Sequence, residues 1–521
     1  MKRTALLFSL FLILICNSIA NAGLRIMESI VMHSRILKHD VHFSVCLPKN
    51  YYGVKQSFPV VYLLHGLGDD ETSWLEYGQI TQFADKAVES GETVPMIFVM
   101  PEAFRTYYVN DYKGSFLYQD MFVKEMVPHI DSLFRTISDK QQRALMGYSM
   151  GGFGALILHL KHTDIFGTAV PLSISVRTDE QYMTEDASGW DDQWGRLFGE
   201  PGFKGADRIT DYYKKNSPFH VLSKMTAAEM KNLNIYIDNG DKEQTLCRSN
   251  EELHILMRKM KFPHEYRVRE GGHSFEYWVS ALPNALRFIS DAFESKPYRG
   301  DLIFKTEIAP LPDKQFVQMT IDNEQVFAYL PAEYENTDRL YPVLYFSGNI
   351  TPEQCKSIAA FVNRGIEKNE IGPMLVVFLN VNSTILLPTT LPALEEKLRI
   401  RKGYRFRALA GYQDTGPYVL SAVTNMEQQF SSCILVYAYV DKQNVVGLLQ
   451  AMKPGALEHT PVFILVPDKG RFYEGNGNLH MILRDKDLKH EYRVTEGEGG
   501  LDWMIGGLEE MIKFVAINFH R

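Results

Sequence analysis

At 521 residues with 45% hydrophobic content, the chain is too long for one ordinary domain and apolar enough to build two sizeable cores. Its formal charge of −8 argues against nucleic acid or an anionic membrane surface as partner. Five cysteines are too few for a disulfide framework in domains of this size, and no Cys/His cluster has metal spacing.

Residues 1–22 read as a secretory leader: Lys2-Arg3, an apolar run from Ala5 to Ile15, and Ala20-Asn21-Ala22 as an A-x-A cleavage site. The run is too short to span a membrane, so the expectation is export to the periplasm or beyond, without membrane insertion. Cys16 invites a lipid anchor, but Ile15 is bulky where a small residue usually precedes such a cysteine. A buried strand, Pro59 to Leu64, runs into His65-Gly66-Leu67-Gly68, the usual place for an oxyanion donor in an acyl-transfer site. The strand Met96 to Met100 leads into an aromatic loop, Phe104 to Tyr112, which then lies at the active-site edge of a sheet.

Ala144 to Met146 read as a strand and Phe153 to Leu160 as a helix, joined by Gly147-Tyr148-Ser149-Met150-Gly151. This G-x-S-x-G is a nucleophile elbow, whose turn leaves no room for side chains flanking the serine and whose helix aims free N–H groups at the site. Alone the pattern is common; its setting in the chain makes it specific. Thr178 to Lys215, with Trp190, Trp194 and Phe198, reads as a cap over the cleft. The strand Leu233 to Ile237 enters the acidic loop Asp238 to Glu243. After a helix at about Ser249 to Met260, the strand His264 to Arg269 ends in Glu270-Gly271-Gly272-His273-Ser274. Serine, acid and histidine in that order, each after a strand, are the chain order of an α/β-hydrolase triad.

The second half repeats the first. His490 to Val494 duplicates the pentapeptide His264 to Val268, Tyr341 to Tyr345 parallels Phe58 to Tyr62, and Arg407 to Tyr412 parallels Arg143 to Tyr148. The chemistry is not repeated: Gln413 stands for Ser149, Gly499 for His273 and Gly470 for Glu243. Expected boundaries are 23–295 for a catalytic domain, 296–312 for a linker and 313–521 for an inactive hydrolase-like domain. That second domain is expected to be a scaffold, with glycan or partner binding as the alternative.

Over roughly residues 30 to 293 the chain resembles the esterase D-like esterases of the α/β-hydrolase fold. These include S-formylglutathione hydrolases, feruloyl and acetyl-xylan esterases and mycolyltransferases. The resemblance rests on Phe58 to Trp74, Arg143 to Gly154, Asn216 to Phe219 and His264 to Trp278. It implies an α/β-hydrolase fold in two tandem copies, each a central, mostly parallel sheet with helices on both faces. It also implies Ser149 as nucleophile, His273 as general base, and the backbone N–H groups of Met150 and Leu67 as the oxyanion hole. Where the family usually carries an Asp, this chain has Glu243, and Asp241 in the same loop is a rival for the triad acid. Tyr107, Tyr108 and Trp278 are the expected substrate-binding residues, since aromatic rims suit sugar rings or phenolic acyl groups. The expected activity is serine carboxylesterase action on an acylated saccharide, feruloyl or acetyl, or on a small ester. Transfer of the acyl group to a sugar is the rival, and the mechanism calls for no cofactor or metal.

Overall fold

The structure, a computed structural model, describes residues 25–231, 233–302, 308–321, 324–379, 387–425, 429–441, 443, 445–447, 452, 455 and 457–519. The expected leader lies outside the described residues, and the expected linker is described only in part. Two compact units divide the chain: Met1–Tyr266 with Gly271–Leu302, and Arg267–Glu270 with Ile303–Arg521.

In the first unit the sheet order is β1 (Ile26–Ser34), β2 (His39–Cys46), β4 (Ile97–Pro101), β3 (Val60–Leu64), β5 (Arg143–Tyr148), β6 (Thr168–Leu172) and β7 (Asn234–Gly240). β1, β2 and β4 pair antiparallel, and β4 through β7 are parallel. Every residue of β3, β4, β5 and β6 is buried, as expected for parallel strands covered on both faces. Side chains alternate between the two faces. Val61, Leu63, Met146, Tyr148 and Val170 join one cluster with α1 (Ile80–Glu89) and α4 (Phe275–Phe293). On the opposite side α2 (Met150–Lys161) packs on β5 and β6. From Met150 to Leu160 every α2 residue is buried, so this helix is apolar all round rather than amphipathic. Truncating Leu156 or Leu158 to Ala there would cost about 2–5 kcal/mol each. α3 (Thr245–Lys259) precedes β8 (Glu265–Arg269), which delivers the loop carrying His273. Tyr298 packs on Phe288 and Tyr236, with ring centroids 5.3 and 6.0 Å apart, and Arg299 pairs with Asp291 at 2.7 Å. The stretch expected to begin the linker is thus fastened to the first unit.

The second unit has the order β16 (His490–Thr495), β15 (Val462–Pro467), β14 (Ser432–Val436), β13 (Arg407–Tyr412), β11 (Val343–Ser347), β12 (Leu375–Leu379), β10 (Glu324–Tyr329) and β9 (Phe316–Ile321). β9, β10 and β12 pair antiparallel; the rest are parallel. α5 (Pro352–Glu367) and α8 (Leu501–Asn518) pack on one face through Leu344, Phe346, Ile434 and Phe463. α6 (Gly416–Asn425) packs on β13 and β14, and α7 (Tyr473–Asp485) on β15 and β16.

Individual contacts recur between the units. The Arg135 guanidinium lies 3.8 Å from the Tyr51 ring centroid, and its backbone N–H donates to the Tyr51 hydroxyl at 3.0 Å; Arg399 and Tyr334 do the same at 3.7 and 3.0 Å. His254 and His264 share a hydrogen bond of 2.7 Å with the His254 ring stacked on Tyr266; His480 and His490 do so at 2.8 Å, stacked on Tyr492. Asn250 donates to Ile174 and Leu246 carbonyls at 3.0 and 2.9 Å, and Asn476 to those of Ala438 and Phe472 at 2.8 and 2.9 Å.

Candidate active site

Ser149 occupies the turn between β5 and α2 with φ 57° and ψ −117°, a left-handed conformation that costs a non-glycine residue about 1–3 kcal/mol. Its backbone is tied on both sides: its N–H donates to the Leu172 carbonyl at 3.0 Å, and its carbonyl accepts from Ser175 N–H at 3.1 Å. The flanking glycines are sterically required. A Cβ on Gly147 would sit 2.4 Å from the Gly151 carbonyl oxygen, and one on Gly151 would sit 2.1 Å from that of Leu64.

His273 meets the serine. Its Nε2 lies 2.8 Å from Ser149 Oγ, and its Nδ1 lies 2.6 Å from Glu243 Oε2. An ionised carboxylate can only accept, so Nδ1 carries the proton and Nε2 is left to accept from the serine hydroxyl. Glu243 is fully buried, whereas the His273 side chain is 38% exposed, so the imidazole faces solvent and the carboxylate does not. The rival acid, Asp241, is engaged elsewhere: its carboxylate accepts from Gly271 N–H at 3.1 Å, and Lys242 N–H donates to the Gly271 carbonyl at 2.9 Å. These bonds clamp the acid loop to the histidine loop. The close approach needs Gly240, whose Cβ would lie 2.3 Å from the Gly271 oxygen.

The free N–H end of α2 begins at Met150, and Leu67 stands in the turn after β3, 38% exposed. His65 holds that turn. Its Nδ1 lies 2.8 Å from the Gly66 carbonyl, and its Nε2 accepts from Ala103 N–H at 2.8 Å. Accepting at Nε2 requires a neutral ring with the proton on Nδ1, and burial lowers its pKa below the usual histidine value.

Two serines escaped the sequence reading. Ser173 Oγ donates to Glu243 and accepts from Trp278 Nε1 at 2.8 Å, and Ser175 Oγ lies 3.0 Å from the Tyr107 hydroxyl. Their signal was available: Ser173-Ile174-Ser175 follows the strand beside the elbow, at the carboxyl edge of a parallel sheet, where sites form.

The aromatic residues expected at the substrate are instead part of the framework. Tyr108 is fully buried against Gly154, with its hydroxyl donating to the His65 carbonyl at 3.1 Å. Tyr107 is 2% exposed, and Trp278 is 5% exposed and stacked on Tyr148 at 4.1 Å. Trp190, Trp194 and Phe198 are likewise buried in the core of the cap segment. Rings of this size bury most of their surface when a neighbouring core is available, and the loops here supply one.

In the second unit the turn after β13 has a similar backbone and different side chains. Gln413 has φ 51°, and Tyr439 N–H donates to its carbonyl at 2.9 Å, as Ser175 does to Ser149. Asp468 accepts from Gly497 N–H at 2.8 Å, as Asp241 does from Gly271. Tyr437, in the position of Ser173, fills the space. A Cβ on Gly470 or Gly499 would lie 2.7 or 2.4 Å from its ring, and its hydroxyl accepts from Arg471 N–H at 2.8 Å.

Among the described residues, no group of three or more His, Cys, Asp or Glu could hold a metal ion, and no helix is long and apolar enough to cross a membrane.

Residues 34–289 match the family model described as "Putative esterase". An endo-1,4-beta-xylanase/feruloyl esterase of Xylanibacter ruminicola is 34% identical over 135 residues, 24% of this chain and 18% of that protein. An esterase of Mycobacterium tuberculosis is 27% identical over 250 residues, 44% of this chain and 52% of that protein. The chain therefore spans about half or less of the length of these curated relatives. Among solved structures, a ferulic acid esterase is similar at 29% identity and a TM-score of 0.45, over 51% of this chain and 98% of that one.

Proposed function

We propose that this chain, whose residues 34–289 belong to the Putative esterase family, is an exported serine carboxylesterase acting on acylated saccharides. The observation that carries the reading is the relay at Ser149: Oγ to His273 Nε2 at 2.8 Å, and Nδ1 to Glu243 at 2.6 Å. As Ser149 Oγ attacks the ester carbonyl carbon, its proton passes to His273 Nε2, and buried Glu243 stabilises the resulting imidazolium. The carbonyl oxygen becomes an oxyanion between the N–H groups of Met150 and Leu67, where the end of the twelve-residue α2 adds its dipole. Collapse breaks the ester C–O bond, and the alcohol leaves with the proton from His273. Water, deprotonated by the same histidine, then attacks the acyl-enzyme, releasing the acid and restoring Ser149.

Feruloyl or acetyl groups on plant cell-wall saccharides are the proposed substrate class. The matched portion of the xylanase/feruloyl esterase supports it, and the leader-like residues 1–22 support export. The second unit is a degenerate copy with a scaffold role: it keeps the elbow and the loop clamp while Tyr437 occupies the space a histidine and an acid would need.

The test is turnover of p-nitrophenyl acetate, methyl ferulate and acetylated xylan by the full chain and by Ser149→Ala. The expected result is hydrolysis of at least one ester, with kcat reduced about 10⁵-fold or more in the variant. Near-normal turnover by a folded Ser149→Ala would end the reading.

A further inference from the structure

The turn between β1 and β2, the loop after β4 and the cap segment line an open cleft of about 510 Å³. Its aromatic wall is built from Phe104, with Phe116 at 5.5 Å edge-on and His39 at 5.7 Å between ring centroids. Three cations line it, Lys38, Arg105 and Arg196, against a single acid, Asp192. Arg105 meets Asp192 at 2.7 Å, but the side chains are 51% and 67% exposed respectively, so solvent screens the pair heavily. Arg196 donates to the Arg105 carbonyl at 2.7 Å, which ties the Arg196 guanidinium to the loop that carries Arg105. The nearby acids are hydrogen-bonded outside the cleft lining or to its backbone: Asp111, whose charge also acts on Arg196, accepts from Phe116 N–H and Ser115 Oγ, and Glu125 from Arg35 N–H and Ser34 Oγ. The cleft is left with a surplus of positive charge beside an apolar wall.

A hydrogen-bonded path through buried residues ties one lining residue, Gln193, to the backbone of the elbow. Gln193 Nε2 donates to the Tyr107 hydroxyl at 2.8 Å, that hydroxyl lies 3.0 Å from Ser175 Oγ, and Ser175 N–H holds the Ser149 carbonyl. The loop forming the wall is conformationally strained, with Phe104, Tyr107 and Tyr108 at φ 54°, 52° and 59°. Left-handed conformations at three non-glycine residues cost about 1–3 kcal/mol each and gather where a binding surface is held in one shape.

We propose that this cleft is a subsite for a carboxylate-bearing sugar, a uronic acid lying on the saccharide side of the scissile ester. The inference rests on the esterase reading above and narrows its substrate. A pyranose ring offers C–H faces to Phe104 and Phe116, and its carboxylate takes charge-assisted hydrogen bonds from Arg105 and Arg196, with Lys38 adding charge at the rim. A neutral sugar would use the wall and leave the cations unused.

The experiment uses the full chain at low ionic strength with two polymers: acetylated glucuronoxylan, and the same material after its carboxyl groups are reduced to alcohols. The readout is the ratio of kcat/KM on the acidic polymer to that on the reduced one. The expected ratio is about tenfold, carried by KM, falling to within about twofold in Lys38→Gln/Arg105→Gln and, for the unaltered protein, in 1 M salt. Both side chains are exposed, so the double variant is expected to fold. A ratio near one in the unaltered protein, or one that the double variant leaves intact, overturns the subsite. Hydrolysis of p-nitrophenyl acetate by the unaltered protein separates the two readings: a ratio near one with that activity present removes the subsite alone, whereas absence of hydrolysis of any ester removes the esterase reading beneath it.

Discussion

Asp241 and Asp468 do the same work in the two units: each carboxylate accepts from the N–H of a left-handed glycine, Gly271 or Gly497, and so clamps one loop to the next. Glu243 and Gly470 do not. The clamp persists in a unit that has no histidine to orient, so it belongs to the framework; the residue that differs is the one bonded to His273. The elbow teaches the same lesson. Ser149 and Gln413 share a left-handed backbone and the same carbonyl bond from a residue three positions past the end of the neighbouring strand. That geometry is maintained by the fold of the turn, independently of a nucleophile at its tip.

The sharpest way to test the comparison is to remove each acid. Glu243→Gln should lower kcat about 10⁴-fold, because the imidazolium loses its buried counter-charge and its tautomer is no longer enforced. Asp241→Asn should cost about tenfold at most, since it loosens a loop clamp without touching His273. Steady-state kinetics on p-nitrophenyl acetate would check the ranking, and the reverse order would make Asp241 the triad acid.

Much of this site was legible in the sequence. Ser149 and His273 stand in glycine-bounded loops after apolar strands, and only such loops bring residues 124 positions apart to one sheet edge. The acid was legible only to within a loop, because Asp241 and Glu243 differ in which partner they reach, a matter of backbone direction that spacing does not carry. The burial of Tyr107, Tyr108 and Trp278 is hidden in the sequence for a related reason. An aromatic residue after a strand looks the same in sequence whether it meets a ligand or fills the framework, and here the neighbouring Gly154 leaves a space that the Tyr108 ring occupies. The obstruction by Tyr437 was equally hidden, since its effect depends on Gly470 and Gly499 having lost their side chains around it.

That obstruction supplies the next test. Tyr437→Ala should destabilise the chain by about 3–5 kcal/mol through the cavity it leaves, while kcat at 25 °C stays unchanged. Calorimetry together with kinetics would show it. A variant with unaltered melting temperature would mean the ring is not part of a packed core.

A smaller effect is expected from acid. Burial lowers His65 and holds His159 to about 3 in the first unit, and lowers His480 and holds His490 to about 4 in the second. Each binds its proton more readily when unfolded, so the stabilisation is complete above pH 6.5 and is lost as pH falls through that value towards the folded pKa. The slope is about 1.4 kcal/mol per pH unit for each such histidine. His159→Leu should flatten the fall in stability between pH 6 and 4 by about one such increment, as read from urea unfolding at several pH values; an unchanged slope would remove His159 from the acid response.

The central claim is that one unit holds a reactive serine and the other holds none. Treating the full chain with a fluorophosphonate and mapping the modified peptides by mass spectrometry tests it most directly. One label per chain, on Ser149 and absent from Ser149→Ala and His273→Ala, is the predicted result. A chain that takes no label, or takes it within residues 313–521, would contradict the account.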